Sequence, residues 1–128
     1  MVLRIVRLGS PRAPDEGLRL GTVRRPPRGV PKAKFVSGNW YDLWFPTLAP
    51  SVPTMKLGLA AATAAERARF FRRFRAEMQQ PAAAHAIALL AVLSHRTNLA
   101  VGCYCEHEAN CHRSALRELL LKAGAKLG

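Results

Sequence analysis

The chain has 128 residues, 49% of them apolar and 22% charged, which fits one folded domain spanning residues 1–128 and leaves too little chain for a second core. No apolar run approaches the length of a membrane span, and Met1–Leu8, broken by Arg4 and Arg7, lacks the apolar stretch of a cleavable signal, so the expected location is the cytoplasm. The net charge of +12 is uneven: nine Lys/Arg, against only Asp15 and Glu16, fall within residues 1–34, and such a surface favours nucleic acid or an anionic small molecule as partner.

Leu3–Leu8 reads as a first strand, ended by Gly9-Ser10-Pro11, and Leu18–Val23 as a second after the turn Pro14-Asp15-Glu16-Gly17. Pro26-Pro27 forbids further ladder pairing. The segment from Arg24 to Lys32 therefore reads as a stiff basic loop, with Arg24, Arg25, Arg28 and Lys32 as candidate anion-binding residues. The aromatic-rich stretch Phe35, Trp40, Tyr41, Trp44 and Phe45 reads as core, and a short helix is expected around Trp40–Trp44.

Thr63-Ala64-Ala65-Glu66 forms a capping-box sequence, so a helix should begin there, with Phe70, Phe71, Phe74 and Met78 on one face and Arg69, Arg72 and Arg73 opposite. Pro81 suits the first turn of the next helix, which is apolar nearly all round to Leu93 and should be buried. Asn98–Tyr104 has the composition of a buried strand. Leu116, Leu119, Leu120 and Ala123 mark a final amphipathic helix closed by Gly124. Strands early, helices between and a closing strand-to-helix unit indicate a single α/β layered domain, a small and mostly parallel sheet flanked by helices.

All three cysteines lie in Cys103–Cys111, which does not resemble a disulfide framework and points to metal binding, thiol reactivity or packing. The segment runs Cys103-Tyr104-Cys105-Glu106-His107-Glu108-Ala109-Asn110-Cys111-His112-Arg113, between a buried strand and a helix that Asn110 can cap. Ligands of open α/β sheets gather beyond the C-terminal ends of strands.

Together with three earlier blocks, this segment resembles domain-of-unknown-function family 488, the YeaO-like proteins, in its Cys-His-Arg-bearing branch. The resemblance rests on Asp15-Glu16-Gly17-Leu18-Arg19, on Pro27-Arg28-Gly29-Val30 with Lys32, and on Trp44 with Ala49-Pro50-Ser51. It closes on Cys105-Glu106 and Cys111-His112-Arg113-Ser114. It implies an α/β fold and no particular activity.

Spacing excludes several chemistries. The residue six before Arg113 is His107, where a phosphatase loop of the tyrosine-phosphatase type needs cysteine. Ala109 stands where a zinc nucleoside deaminase needs Glu after His107, and a thioredoxin-like Cys-x-x-Cys is absent. Two chemistries stay open beside a purely structural role. One is a zinc or iron site drawing on Cys103, Cys105, His107, Cys111 and His112. Against it, an extended strand through Cys105 would hold the first two sulfurs about 6.6 Å apart. The other is a reactive thiolate at Cys105 or Cys111, with the Cys111 pKa lowered by the helix start, Arg113 holding an anion, and His112 or Glu106 moving protons. The leading expectation is an enzyme or binding domain for an anionic, nucleotide-like ligand, assembled from this segment and the Arg24–Lys32 loop. Alternatives are a non-catalytic nucleic-acid-binding module and a metal-binding interaction protein. Reaction and oligomeric state are not legible.

Overall fold

The computed structural model describes residues 1–128. Four strands, β1 (Leu3–Arg7), β2 (Leu18–Gly21), β3 (Leu43–Trp44) and β4 (Leu99–Cys103), form one all-parallel sheet in the order β1-β4-β2-β3. Parallel pairing demands crossovers, and parallel strands covered on both faces read as continuous apolar runs. Leu99-Ala100-Val101-Gly102-Cys103 is such a run, and β4 is buried along its whole length at an interior position. Its registers align Leu3 and Leu18 with Leu99, and Arg7 with Cys103, so all the C-terminal strand ends share one edge.

Helices α1 (Val52–Ala60), α2 (Ala64–Glu77), α3 (Pro81–Leu93) and α4 (His112–Lys122) complete the chain, with short 3-10 turns at Lys32–Lys34, Pro46–Leu48 and Glu108–Asn110. The main core joins alternate strand residues Leu3, Leu20, Leu99 and Val101 to Phe74 and Met78 of α2, Ile87 and Leu90 of α3, and Leu116 and Leu120 of α4. Loops cover the opposite face. There Arg19, 0% exposed, donates from Nε and Nη2 to the Glu16 carboxylate and from Nη1 to the Ser10 and Asn39 carbonyls. Tyr41 packs on Gly21, where a Cβ would run into its ring.

The capping box is present in full: Thr63 Oγ1 accepts from Glu66 N, and the Glu66 carboxylate accepts from Thr63 N. Three expectations change. Trp40–Trp44 is not helical. Asp42 exchanges backbone and side-chain hydrogen bonds with Arg19, which draws Leu43 and Trp44 into the sheet as its edge strand, and Asn39 at φ 61° precedes it. Helix α3 is not buried all round: Leu89 and Val92 are 59% and 61% exposed, because α3 packs one face on the core and nothing covers the other. Asn110 does not cap α4; the cap position is Cys111, and no side-chain oxygen fills it. No helix is long and apolar enough to cross a membrane.

Candidate functional site

The site is built where β4 ends. The strand stops at Cys103 and the chain bends at Tyr104, so Cys105 folds back and the Cys103 and Cys105 sulfurs lie 3.8 Å apart. The separation of about 6.6 Å expected for a continuing strand is therefore corrected. Three contacts hold the bend. Tyr104 Oη donates to the Arg25 carbonyl at 2.8 Å, Arg7 Nε donates to the Tyr104 carbonyl at 3.3 Å, and Arg113 Nη2 donates to the Cys105 carbonyl. Farther along, Glu108 is gripped by Arg117 through two bonds of 2.6 and 2.9 Å, which fixes the short turn before α4.

Helix α4 then brings in Cys111, at its cap, and His112, its first residue, both buried. His112 Nε2 lies 2.8 Å from the Thr22 carbonyl and donates to it, which leaves Nδ1 as the lone-pair nitrogen, 3.6 Å from Cys111 Sγ. The donor atoms of Cys103, Cys111 and His112 all lie within 4.8 Å of one another, and Cys105 flanks them through Cys103. Burial pushes the His112 pKa down to about 4, so the imidazole is neutral at pH 7.

Hydrogen bonds from the Cys103 and Cys111 thiols, with the charge of Arg113 beyond, hold the Cys105 pKa well below its ordinary value against the opposing effect of burial. Cys103 is driven up by its bonds to Cys105 and Cys111 and by burial. At Cys111 the bond from Cys103 acts downward, but the bond to Cys105, burial and the Cys105 charge outweigh it, and its pKa rises. The lowering expected for Cys111 at a helix start is thus corrected: the thiol is buried, its bond to Cys105 acts upward, and the imidazole next to it is neutral.

Above the cluster opens a cavity of about 320 Å³, walled by Val23, Pro50, Met55, Leu59 and Phe70, with the three cysteines, Tyr104 and His112 at its floor and side. Arg24 and Arg25 also line it. Arg24 is already engaged, donating to the carbonyls of Pro50, Pro46 and Ala49, whereas Arg25 is exposed. Arg28 belongs to another groove, of about 740 Å³, with Arg7, Ser10, Trp40 and Tyr104. Lys32 is exposed in its 3-10 turn and lines neither space. The basic loop is therefore divided, two arginines over the cysteines and one over Trp40. Glu106 and His107 are exposed on the 104–110 loop, and neither lines the cavity or joins the sulfur cluster.

Two buried side-chain groups lack a hydrogen-bond partner, the Tyr41 hydroxyl and Arg113 Nε, and both belong to this neighbourhood. Tyr41 packs with Cys103 and Cys111, and Arg113, 3% exposed, follows directly on His112. Sequence reasoning missed Thr22, whose carbonyl orients His112 and whose side chain gives no sign of it. It also missed α1, which supplies Met55, Gly58 and Leu59 to the cavity. A signal for α1 was present in Ser51 followed by Pro53, a cap and a first-turn proline.

The chain is thus an α/β protein of one parallel sheet with a Cys/His cluster at the C-terminal strand edge. The family model of DUF488-N3a, the active DUF488-N3 subclade, matches residues 3–124, and the chain belongs to the DUF488 family. No curated protein and no solved structure matches it.

Proposed function

We propose that this domain binds a small, largely apolar molecule carrying one anionic group in the cavity over the cysteines, and that Cys105 is the sulfur presented to it. The observation that carries this reading is the convergence of Cys103, Cys105, Cys111 and His112 on the floor of one apolar-walled cavity at the C-terminal edge of a parallel sheet. The family description as an active subclade supports placing chemistry there. Only Arg25 is an uncommitted cation in the cavity, which favours one anionic group over the several of a nucleotide. Three unpaired cysteines suit a reducing compartment, the cytoplasm.

The probe that tests it is 1-anilinonaphthalene-8-sulfonate, an apolar ring system with a single sulfonate. Saturable fluorescence at one probe per native chain is expected, weakened by Leu59→Glu and by Arg25→Ala. Leu59 is 79% exposed, so its substitution spares the fold. Binding that fails to saturate, or that ignores both substitutions, refutes the reading.

A second reading rests on a different feature. The Arg7–Arg28–Trp40–Tyr104 groove pairs two cations with two aromatic rings, the components of a single-stranded nucleic-acid site. Fluorescence anisotropy with a labelled single-stranded RNA would then fall steeply with salt, and Arg28→Ala would reduce the log–log salt slope by about 1. A flat salt response removes this reading, whatever happens at the cysteines.

A further inference from the structure

We propose that Cys103, Cys111 and His112 hold one zinc ion, with Cys105 as its fourth, cavity-facing ligand. This names the cofactor of the site proposed above and rests on that site, though not on what the cavity takes.

The first argument is metric. Zinc sits about 2.3 Å from thiolate sulfur and about 2.0–2.1 Å from imidazole nitrogen in a tetrahedron, so its ligands must be spaced about 3.8 Å for sulfur to sulfur and about 3.6 Å for sulfur to nitrogen. The structure has 3.8 Å between Cys103 and Cys105 and 3.6 Å between Cys111 Sγ and His112 Nδ1. Cys103, Cys111 and His112 close into a mutual group within 4.8 Å, a face onto which a single ion fits. Cys105 stands outside that group, on the exposed turn after β4 with its sulfur 3.8 Å from that of Cys103, and completes the tetrahedron by turning toward the ion.

The second argument is the imidazole. A metal-bound histidine donates its far N–H to a carbonyl or carboxylate, which fixes the tautomer and aims the other nitrogen at the ion. His112 does this: Nε2 donates to the Thr22 carbonyl and Nδ1 faces the sulfurs.

The third argument is charge. Arg113 is buried, forms no ion pair with any carboxylate, and spends one hydrogen bond on the Cys105 carbonyl. A buried guanidinium needs a countercharge. Three thiolates and one imidazole around Zn²⁺ carry a net charge of −1, which matches it. The same donor set, rich in soft sulfur with one nitrogen, selects zinc over the hard divalent cations.

The experiment is elemental analysis of the full chain, purified under reducing conditions without affinity-resin nickel, followed by anaerobic replacement with Co²⁺. Close to one zinc per chain is expected, and the cobalt form should show the intense visible bands of four-coordinate cobalt with near-ultraviolet charge transfer from three thiolates. Cys111→Ser and His112→Ala should each weaken cobalt binding by at least about 100-fold, and Cys105→Ser should remove one thiolate from the spectrum while keeping the ion. Resident iron, no uptake of either metal by folded protein, or an unchanged spectrum in Cys111→Ser overturns the proposal. If Cys111→Ser does not fold, the unaltered protein still decides: charge transfer from fewer than three thiolates overturns it. Binding of the naphthalene sulfonate is read separately, so loss of the metal reading and loss of the cavity reading are distinguishable.

Discussion

Replacing Arg113 by Met tests whether the sulfur cluster is anionic. Methionine keeps much of the side-chain length, so packing beside Cys105 and α4 is largely retained, while the charge and the bond to the Cys105 carbonyl are lost. Two signs are possible. If the sulfurs carry no charge, Arg113 is a buried cation with no partner, and replacing it by an apolar residue should be neutral or stabilising. If they carry the countercharge, removing one member of a buried pair should cost about 3–5 kcal/mol, of which the charged hydrogen bond to Cys105 accounts for about 1.5–3 kcal/mol. Urea denaturation at pH 7 resolves the two. With a slope of about 1.5–2 kcal/mol per molar for a chain of this size, the midpoint should fall by about 2 M at unchanged slope. Arg113→Lys should fall between, since it keeps the charge but not the planar donor geometry. A midpoint for Arg113→Met equal to or above that of the unaltered protein refutes the anionic cluster.

Three further outcomes follow from the scaffold. Burial acts to raise the Glu16 pKa, but the bonds and charge of Arg19 hold it below the ordinary carboxylate value; a lowered folded pKa means its stabilisation is complete above the unfolded value of about 4.3 and lost as pH falls through the folded one. Glu16→Gln should thus cost about 3 kcal/mol at pH 7 and progressively less below about pH 4, and a difference constant from pH 7 to pH 3 in denaturant titrations would contradict this. Glu77 at the end of α2 accepts from Ser51 N, Ser51 Oγ and Thr54 Oγ1, so Glu77→Gln should cost about 1–2 kcal/mol and speed hydrogen exchange selectively in α1. At Gly58 a Cβ would lie 2.8 Å from the Phe70 ring, so Gly58→Ala should cost about 1–2 kcal/mol in thermal or chemical unfolding despite its better helix propensity, and should weaken naphthalene sulfonate binding by displacing a cavity wall.

What the sequence disclosed followed from local rules. The capping box at Thr63, the proline opening α3, the glycine after α4 and the unbroken apolar run of β4 are each written in a few neighbouring residues, and each is found where expected. The aromatic segment misled because its conformation is set from a distance: Asp42 is held by Arg19 and Arg12, and without that tether Leu43–Trp44 has no reason to be a strand. The same holds in the site. That Cys103, Cys105, Cys111 and His112 fall within one short segment is visible in the sequence, but the bend that joins the first two depends on Arg7, Arg25 and Arg113. The arginines of the basic loop could not be sorted by sequence, since Arg24 is consumed by carbonyls around Pro46–Pro50 and Arg28 faces another groove.

Those tethers explain why the cysteines are where they are. The C-terminal edge of a parallel sheet leaves strand ends without continuing partners, and β4, between β1 and β2, ends between two walls. Thr22 leaves β2 on one side, offering its carbonyl to His112, while Arg7 closes β1 on the other and holds the Tyr104 carbonyl. A chain leaving β4 must turn at once, and a side chain placed on either side of that turn meets its neighbour. Two cysteines flanking Tyr104, with Cys111 and His112 returned by α4, therefore meet because β4 is central; the same spacing on edge strand β3 would lack the second wall. The position of the strand in the sheet, more than the cysteine spacing, makes the cluster.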